Sequence, residues 1–201
     1  MCRVTDRNRL EAALLHNSTA SSDFDLNPDV VLPGGRKLRP AGVLVPVMAT
    51  AQGADVLLTK RSSRLKHHPG QIAFPGGKQD EGDADVIAAA LREAEEEVGL
   101  PRGQVEVLGT LPTHETVTGF LMTPVIGWID RDFEVRAEVG EVAEVFRVPL
   151  AHVTDAGLFS VQSRRWRGTR RHYYTVPYGP YYIWGATARI LRGLAQRMEA
   201  E

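Results

Sequence analysis

The chain has 201 residues, of which 43% are hydrophobic and 24% are charged, and its formal net charge is -1. This length and composition are typical of one globular domain whose core is large enough to fold without a disulfide or a structural metal. The near-zero net charge gives no global electrostatic reason to bind nucleic acid or a membrane, so we expect neither as a partner.

The N-terminal region predicts a short amphipathic helix over residues 7–16, with Leu10, Ala13 and Leu14 on one side. Charged residues interrupt this region, so it lacks the apolar core of a signal peptide, and no stretch of the chain has the length of a transmembrane helix. The lone cysteine, Cys2, cannot form an internal disulfide. Together these features favour a cytoplasmic location.

A polar connector over residues 17–40, punctuated by proline and glycine, follows the first helix. Two runs of β-branched and aliphatic residues, 42–48 and 54–59, then predict strands joined by a turn.

A basic loop comes next, at residues 60–70, and leads to a glycine turn at Gly76 and Gly77. Its basic side chains are Arg61, Arg64, Lys66, His67 and His68. On composition alone this is a solvated loop, but its place just before an acidic helix favours phosphate binding. The adjacent histidines lack the spacing of zinc ligands.

The clearest predicted element is a helix over residues 85–98, with an apolar stripe, Asp83 or Asp85 as its N-cap, and Gly99 and Pro101 at its end. Three acidic residues, Glu93, Glu96 and Glu97, are spaced by three and four positions and therefore share one helical face. Like charges at this spacing destabilise an isolated helix. A divalent cation held by oxygen ligands would offset that repulsion, because Arg92 neutralises only part of the charge.

Further strands are predicted near residues 104–110, 120–129, 143–148 and 171–176, and a closing helix at 185–198. Strands and helices mix without regular alternation, which indicates an α+β domain with a sheet between helices.

The acidic helix resembles the signature of the Nudix hydrolases. Arg92, Glu93, Ala94, Glu96, Glu97, Gly99 and Leu100 match its second half at each specified position. In the first half, counting forward from Gly77 puts Asp83 at the acidic position with one residue too many before Arg92, which indicates a one-residue insertion in the loop. The resemblance implies a Nudix-type α/β/α sandwich with a mixed sheet. It would occupy residues 40–198, after an N-terminal helix and connector at 1–39.

A second stretch, residues 57–77, looks like the additional motif of the coenzyme A pyrophosphatase branch of this family. The matching residues are Leu57, Leu58, Thr59, Arg61, Ser62, Gly70, Phe74, Pro75, Gly76 and Gly77. Lys66 stands where that motif has arginine, so the positive charge is kept but the planar fork that grips phosphate is lost.

The resemblance also implies a set of functional residues. The expected ligands of Mg²⁺ or Mn²⁺ are Glu93, Glu96, Glu97 and the carbonyl of Gly76. The same glutamates are expected to be catalytic, joined by Glu141 from a later loop, with Glu144 as the second candidate for that role. The expected substrate-binding residues are Arg61, Arg64, Lys66 and Gly77. Glu95 is expected to face away, since it lies about 200° around the helix from Glu93.

The sequence therefore predicts a metal-dependent hydrolase that cleaves the diphosphate of coenzyme A or an acyl derivative, giving 4′-phosphopantetheine and adenosine 3′,5′-bisphosphate. The alternatives are a Nudix hydrolase for another nucleoside diphosphate derivative, such as ADP-ribose or NADH, and a ligand-sensing Nudix-like module without turnover. The intact glutamates argue against the sensor. A homodimer is compatible with the sequence, which does not fix the oligomeric state.

Overall fold

A computed structural model describes residues 5–16, 19–32, 35–166 and 168–199, so Cys2 lies outside the described residues. The helices are α1 (Asp6–Leu15), α2 (Val86–Val98), α3 (Leu150–Val153) and α4 (Ala186–Glu199). The strands are β1 (Ser21–Ser22), β2 (Arg39–Thr50), β3 (Gly53–Arg61), β4 (Ile72–Ala73), β5 (Gly76–Lys78), β6 (Glu106–Thr110), β7 (His114–Glu115), β8 (Phe120–Ile129), β9 (Val142–Pro149), β10 (Ser160–Trp166) and β11 (Thr169–Thr175).

The described strands β1 to β9 form one mixed sheet, and β10 pairs with β11 in a separate hairpin. The centre of the sheet is a parallel pair of β2 and β8, in register from Arg39↔Phe120 to Met48↔Ile129. β3 pairs antiparallel with β2 and with β9, and β4 adds to the free edge of β3. β5 pairs with the first half of β2, which brings the glycine turn to the sheet.

The two faces of the sheet are covered by different helices because β2 alternates its side chains between them. Val43, Val45 and Val47 join a core with residues of α1 and α4. Leu44 and Met48 instead pack with the apolar stripe of α2. The result is the predicted α/β/α sandwich, and the fold class expected from the sequence is confirmed.

Helix α2 lies very close to β2, and Gly42 permits this approach. A Cβ at Gly42 would lie 1.9 Å from the carbonyl oxygen of Val86, so a side chain here would push the helix from the sheet. The helix begins at Asp85, whose Oδ1 accepts a hydrogen bond of 2.8 Å from the Ala88 amide. It ends at Gly99 in the left-handed conformation, with φ of 74°, as the sequence predicts.

The segment after α1 is attached to the sheet through a buried histidine. Ser21 Oγ lies 2.9 Å from Nδ1 of His114, whose Nε2 lies 3.1 Å from Oδ1 of Asp23. The Val117 amide donates to the other oxygen of Asp23, at 2.9 Å. These bonds hold the parallel pair β1–β7 in register at the edge of the sheet.

Most of the longer predicted elements are present, and the differences lie in short or highly charged segments. The prediction missed the two- and three-residue strands, because a short strand carries too few residues to show a pattern. It also missed the longer strand β10. Residues 17–40 were predicted as connector throughout, yet Ser21–Ser22 form β1. No helix in the described part of the chain is long and apolar enough to cross a membrane.

Candidate active site

The acidic face of α2 meets the glycine turn at two points. The Gly76 amide donates a hydrogen bond of 3.3 Å to Oε2 of Glu97. A Cβ at Gly77 would lie 2.5 Å from Cδ of Glu93, so only glycine lets that carboxylate lie against the turn. The turn and the helix thus hold Glu93 and Glu97 side by side at the start of β5.

Glu97 is a buried carboxylate, with only 5% of its surface exposed. Burial, together with the charge of Glu93, raises the pKa of Glu97 to about 8, although the Gly76 amide and the charge of Arg61 act in the opposite direction. Burial also raises the pKa of Glu93, against the opposing effect of Arg92. Because burial disfavours the charged form of both carboxylates, a positive charge between them would favour their ionisation.

Arg92 holds the rim of this acidic face. Its guanidinium donates to Glu93 at 2.9 Å and to Glu96 at 3.1 Å. It also makes two bonds of 3.0 Å to the two oxygens of Asp83. The Arg92 bonds hold the pKa of Asp83 at about 2, well below its usual range. The structure therefore gives the inserted loop a physical role, since Asp83 fixes Arg92.

The three glutamates of the shared face are not equivalent in the structure. The side chain of Glu96 is 58% exposed and turns to Arg92, whereas Glu93 and Glu97 turn to the glycine turn. Glu95 points away, as its angle around the helix predicts, and forms an ion pair of 2.7 Å with Arg102.

The donor set at this turn suits a hard cation. Two carboxylates lie at a backbone turn, and both their pKa values are raised by burial and, as a smaller contribution, by the charge of Glu141. Within the described ranges, no three Asp, Glu, His or Cys side chains form a group able to hold a metal ion by themselves. Mg²⁺ typically takes only one or two protein carboxylates and completes its shell with water and phosphate oxygens. The residues present therefore fit a Mg²⁺ or Mn²⁺ ion that binds together with a phosphate.

The loop before β9 brings Glu141 to the same place. Glu141 is exposed, and its backbone oxygen accepts a hydrogen bond of 2.7 Å from the Ser62 amide. Glu144, the second candidate from the sequence, lies on β9 and accepts a hydrogen bond from the Tyr181 hydroxyl. The structure thus brings Glu141 to the carboxylate pair and turns Glu144 to the C-terminal segment.

The basic loop closes beside this site. Arg61 stands at the bulged end of β3, and its backbone exchanges hydrogen bonds with Gln71 at 2.9 Å and Gly70 at 3.1 Å. Its charge lowers the pKa of Glu97, although burial dominates there. Arg64 and Lys66 are exposed on the same loop. The basic loop therefore begins, at Arg61, close enough to the carboxylate pair for its charge to act on Glu97.

Sequence reasoning predicted β11, near residues 171–176, but missed its partner β10 and the contacts of the aromatic segment that follows. Tyr181 stacks on Phe146 of β9, with ring centroids 3.6 Å apart. Thr187, at the start of α4, donates to the Ile72 carbonyl of β4 at 3.0 Å. The signal was a glycine, Gly168, between two polar runs, which alternate weakly because most of their side chains are exposed.

Comparisons with known proteins identify the family. A family model described as the NUDIX domain matches residues 38–177. A Shigella boydii serotype 4 protein named "Uncharacterized Nudix hydrolase NudL" is 48% identical over 157 residues, covering 78% of this chain and 81% of that protein. Its counterpart from Escherichia coli O139:H28 is 47% identical over the same shares. Among solved structures, a MutT/nudix family protein from Enterococcus faecalis superposes with a TM-score of 0.51 at 16% identity, covering 87% of this chain and 67% of that one, which supports the fold alone.

Proposed function

The chain belongs to the Nudix family and is a Nudix hydrolase, and from this premise we propose that it cleaves the diphosphate linkage of coenzyme A or an acyl-coenzyme A. One observation carries the substrate proposal: the basic loop that resembles the coenzyme A motif borders the carboxylate site. The Ser62 amide donates to the backbone of Glu141, and the charge of Arg61 acts on Glu97. A diphosphate bound at the carboxylates would therefore meet fixed positive charge next to it.

In this proposal Glu93 and Glu97 hold the divalent cation, with the carbonyl of Gly76, and Glu96 lies at the rim within reach of Arg92. A bound Mg²⁺ or Mn²⁺ neutralises the diphosphate and lowers the pKa of a water molecule. Gly77 keeps the turn open, because any side chain there would displace the Glu93 carboxylate. Arg92, held by Asp83, links Glu93 of the inner pair to Glu96 at the rim.

Glu141 is our candidate for the group that takes the proton from the attacking water. It is exposed on the loop before β9, and its charge acts on both Glu93 and Glu97. Water attacks one phosphorus and the bond from that phosphorus to the bridging oxygen breaks. The products are 4′-phosphopantetheine and adenosine 3′,5′-bisphosphate, and the proton of the water passes to the carboxylate.

Lys66 is the reason to consider a second substrate class, the other nucleoside diphosphate derivatives. A lysine binds phosphate as a point charge, without the bidentate geometry of arginine. Another nucleoside diphosphate derivative, such as ADP-ribose or NADH, would place its diphosphate at the same carboxylates. It would make fewer contacts with the basic loop.

The test is a product assay with unmutated protein, Mg²⁺ or Mn²⁺, and a panel of coenzyme A, ADP-ribose and NADH. We expect coenzyme A to give the highest kcat/KM and exhaustive chelation to abolish turnover, because the carboxylates repel a polyanion without the cation. Preference for ADP-ribose or NADH would overturn the substrate proposal, and full activity after chelation would overturn the metal site.

A further inference from the structure

The C-terminal part of the chain is strongly basic although the whole chain is nearly neutral. Residues 156–198 contain eight arginines and no aspartate or glutamate, against a formal net charge of -1 for all 201 residues. Among the described residues, the exposed arginines of the hairpin are Arg164, Arg165 and Arg170, whereas on α4 Arg189 pairs with Asp25 and Arg197 is buried.

An arginine and three aromatic rings cluster on one side of this region. The guanidinium of Arg164, on β10, lies 4.3 Å from the centroid of the Trp184 ring. The Tyr173 ring, on β11, lies 5.0 Å from the same ring at an angle of 59°. The hydroxyls of Tyr173 and Tyr182 are 3.4 Å apart, and Tyr182 is 46% exposed. Arginine planes and exposed aromatic rings are the groups on which nucleic acid bases stack.

This cluster adjoins the loop that borders the carboxylates. A Cβ at Gly185, next to Trp184, would lie 3.6 Å from Nε2 of Gln71, the residue that closes the basic loop. The Gln71 amide in turn donates to the His68 carbonyl at 3.2 Å. Partial burial lowers the pKa of His68, and the charges of Arg61 and Arg164 lower it further, so both arginines act on one loop.

The hairpin is fixed in this position by the N-terminal segment. Asn27 is buried, and its side chain donates to the backbone oxygen of His172 at 3.0 Å and accepts from the same residue's amide at 2.8 Å. A subsite that recognises a rigid group benefits from such preorganisation, since less ordering is required on binding.

We propose that Arg164, Tyr173, Tyr182 and Trp184 form the subsite for the adenosine 3′,5′-bisphosphate half of the substrate. This inference rests on the proposed function and adds the residues that read the nucleotide. The adenine stacks on the exposed aromatic and guanidinium surfaces, and Arg164 faces the 3′-phosphate together with Arg61 and Lys66 of the adjoining basic loop. The pantetheine half has neither an aromatic ring nor a phosphate beyond the diphosphate, so it lacks both features that this cluster recognises.

The experiment is calorimetric binding of each product separately, with Mg²⁺ present, to the full chain. Adenosine 3′,5′-bisphosphate and 4′-phosphopantetheine are titrated into unmutated protein, Arg164→Ala, Arg164→Lys, Tyr182→Ala and Tyr182→Phe. Arg136→Ala is the charge control, because Arg136 is an exposed arginine that pairs with Glu134. Thermal melting of each variant checks that the fold is kept.

We expect Arg164→Ala to weaken adenosine 3′,5′-bisphosphate binding about tenfold, with partial retention in Arg164→Lys. Tyr182→Ala should weaken it severalfold and Tyr182→Phe much less, since the ring rather than the hydroxyl stacks. Binding of 4′-phosphopantetheine should change less than twofold in all of them, and Arg136→Ala should match the unmutated protein.

Unchanged adenosine 3′,5′-bisphosphate binding in Arg164→Ala and Tyr182→Ala would overturn the subsite, as would an equal loss for both products or no binding by the unmutated protein. The proposed function is judged separately, from the products that unmutated protein makes. If the protein cleaves coenzyme A but the variants bind adenosine 3′,5′-bisphosphate as the unmutated protein does, the subsite alone is refuted. If the variants selectively lose adenosine 3′,5′-bisphosphate binding but the unmutated protein does not cleave coenzyme A, the proposed substrate alone is refuted.

Discussion

The two faces of the central sheet use their buried charges in opposite ways. On the α1/α4 face the buried cation Arg197 donates to the Ala13 carbonyl at 3.2 Å, inside a continuous apolar core. On the α2 face the buried Glu97 lies beside another carboxylate and has a pKa of about 8. Burial disfavours both charges, since it lowers the pKa of Arg197 and raises that of Glu97, but the charge of Glu93 adds to the effect only at Glu97. The metal-free folded state therefore favours a protonated Glu97 near neutral pH. Such a perturbed carboxylate is typical of functional sites.

Replacing the buried carboxylates tests this contrast, and we expect it to have the largest effect on kcat. Glu93→Gln and Glu97→Gln should each lower kcat by on the order of a hundredfold to ten-thousandfold, because each removes a ligand or base of the reaction. Glu95→Gln is the matched control on the same helix, since Glu95 pairs with Arg102 at the surface. Steady-state kinetics with saturating Mg²⁺ measures all three. A loss in Glu95→Gln as large as that in Glu97→Gln would contradict the assignment of the helix faces.

The basic loop gives the next largest expected effect. Coenzyme A carries a 3′-phosphate that dephospho-coenzyme A lacks, so the ratio of their kcat/KM values isolates recognition of that group. We expect unmutated protein to prefer coenzyme A by roughly tenfold or more, and Arg61→Ala or Lys66→Ala to shrink the ratio. Equal kcat/KM values for the two substrates in unmutated protein would contradict recognition of the 3′-phosphate. The loop would then be interpreted as a solvated turn.

Asp83→Asn should have a smaller effect, on stability. The depressed pKa of Asp83 means that its charged form stabilises the folded state above about pH 4, and this contribution is lost as pH falls toward about 2. Urea unfolding at pH 7 should therefore show a lower midpoint for Asp83→Asn, with a smaller difference at pH 3. Glu134→Gln is the control, because Glu134 is exposed and pairs with Arg136 rather than with Arg92. An equal shift in both variants would show that Asp83 has no special role in holding Arg92.

The sequence predicted α2 well because its signals are local. The apolar stripe, the Asp85 cap and the Gly99 terminus all lie within the helix or next to it. The difference between Glu96 and Glu97 was not predictable in this way. It depends on how closely Gly76 and Gly77 approach the helix and on the contacts that Arg92 makes with the loop.

The hairpin that β10 forms with β11 escaped prediction for a related reason, although a strand at β11 was predicted. Its position is set by Asn27, which lies 145 residues before His172, and by aromatic contacts after the second strand. The basic loop was found because its motif lies in one continuous segment. Its closeness to Glu141 and to Trp184 required the folded structure, since these residues come from distant parts of the chain.

The central claim is that α2 keeps a carboxylate pair at a cost in stability in order to hold a cation. Since burial raises the pKa of Glu97 to about 8, the metal-free folded state retains a proton that the unfolded state, with a pKa of about 4.3, has lost. Stability of the metal-free protein therefore falls as pH rises between these values, and Glu97→Gln removes that fall.

The most direct measurement is the thermal midpoint at pH 8, with chelator and with Mg²⁺, for unmutated protein and Glu97→Gln. We predict a higher midpoint for Glu97→Gln in chelator, and a rise with Mg²⁺ in the unmutated protein that is largely absent from Glu97→Gln. A lower midpoint for Glu97→Gln in chelator, or an equal rise with Mg²⁺ in both proteins, would contradict the claim.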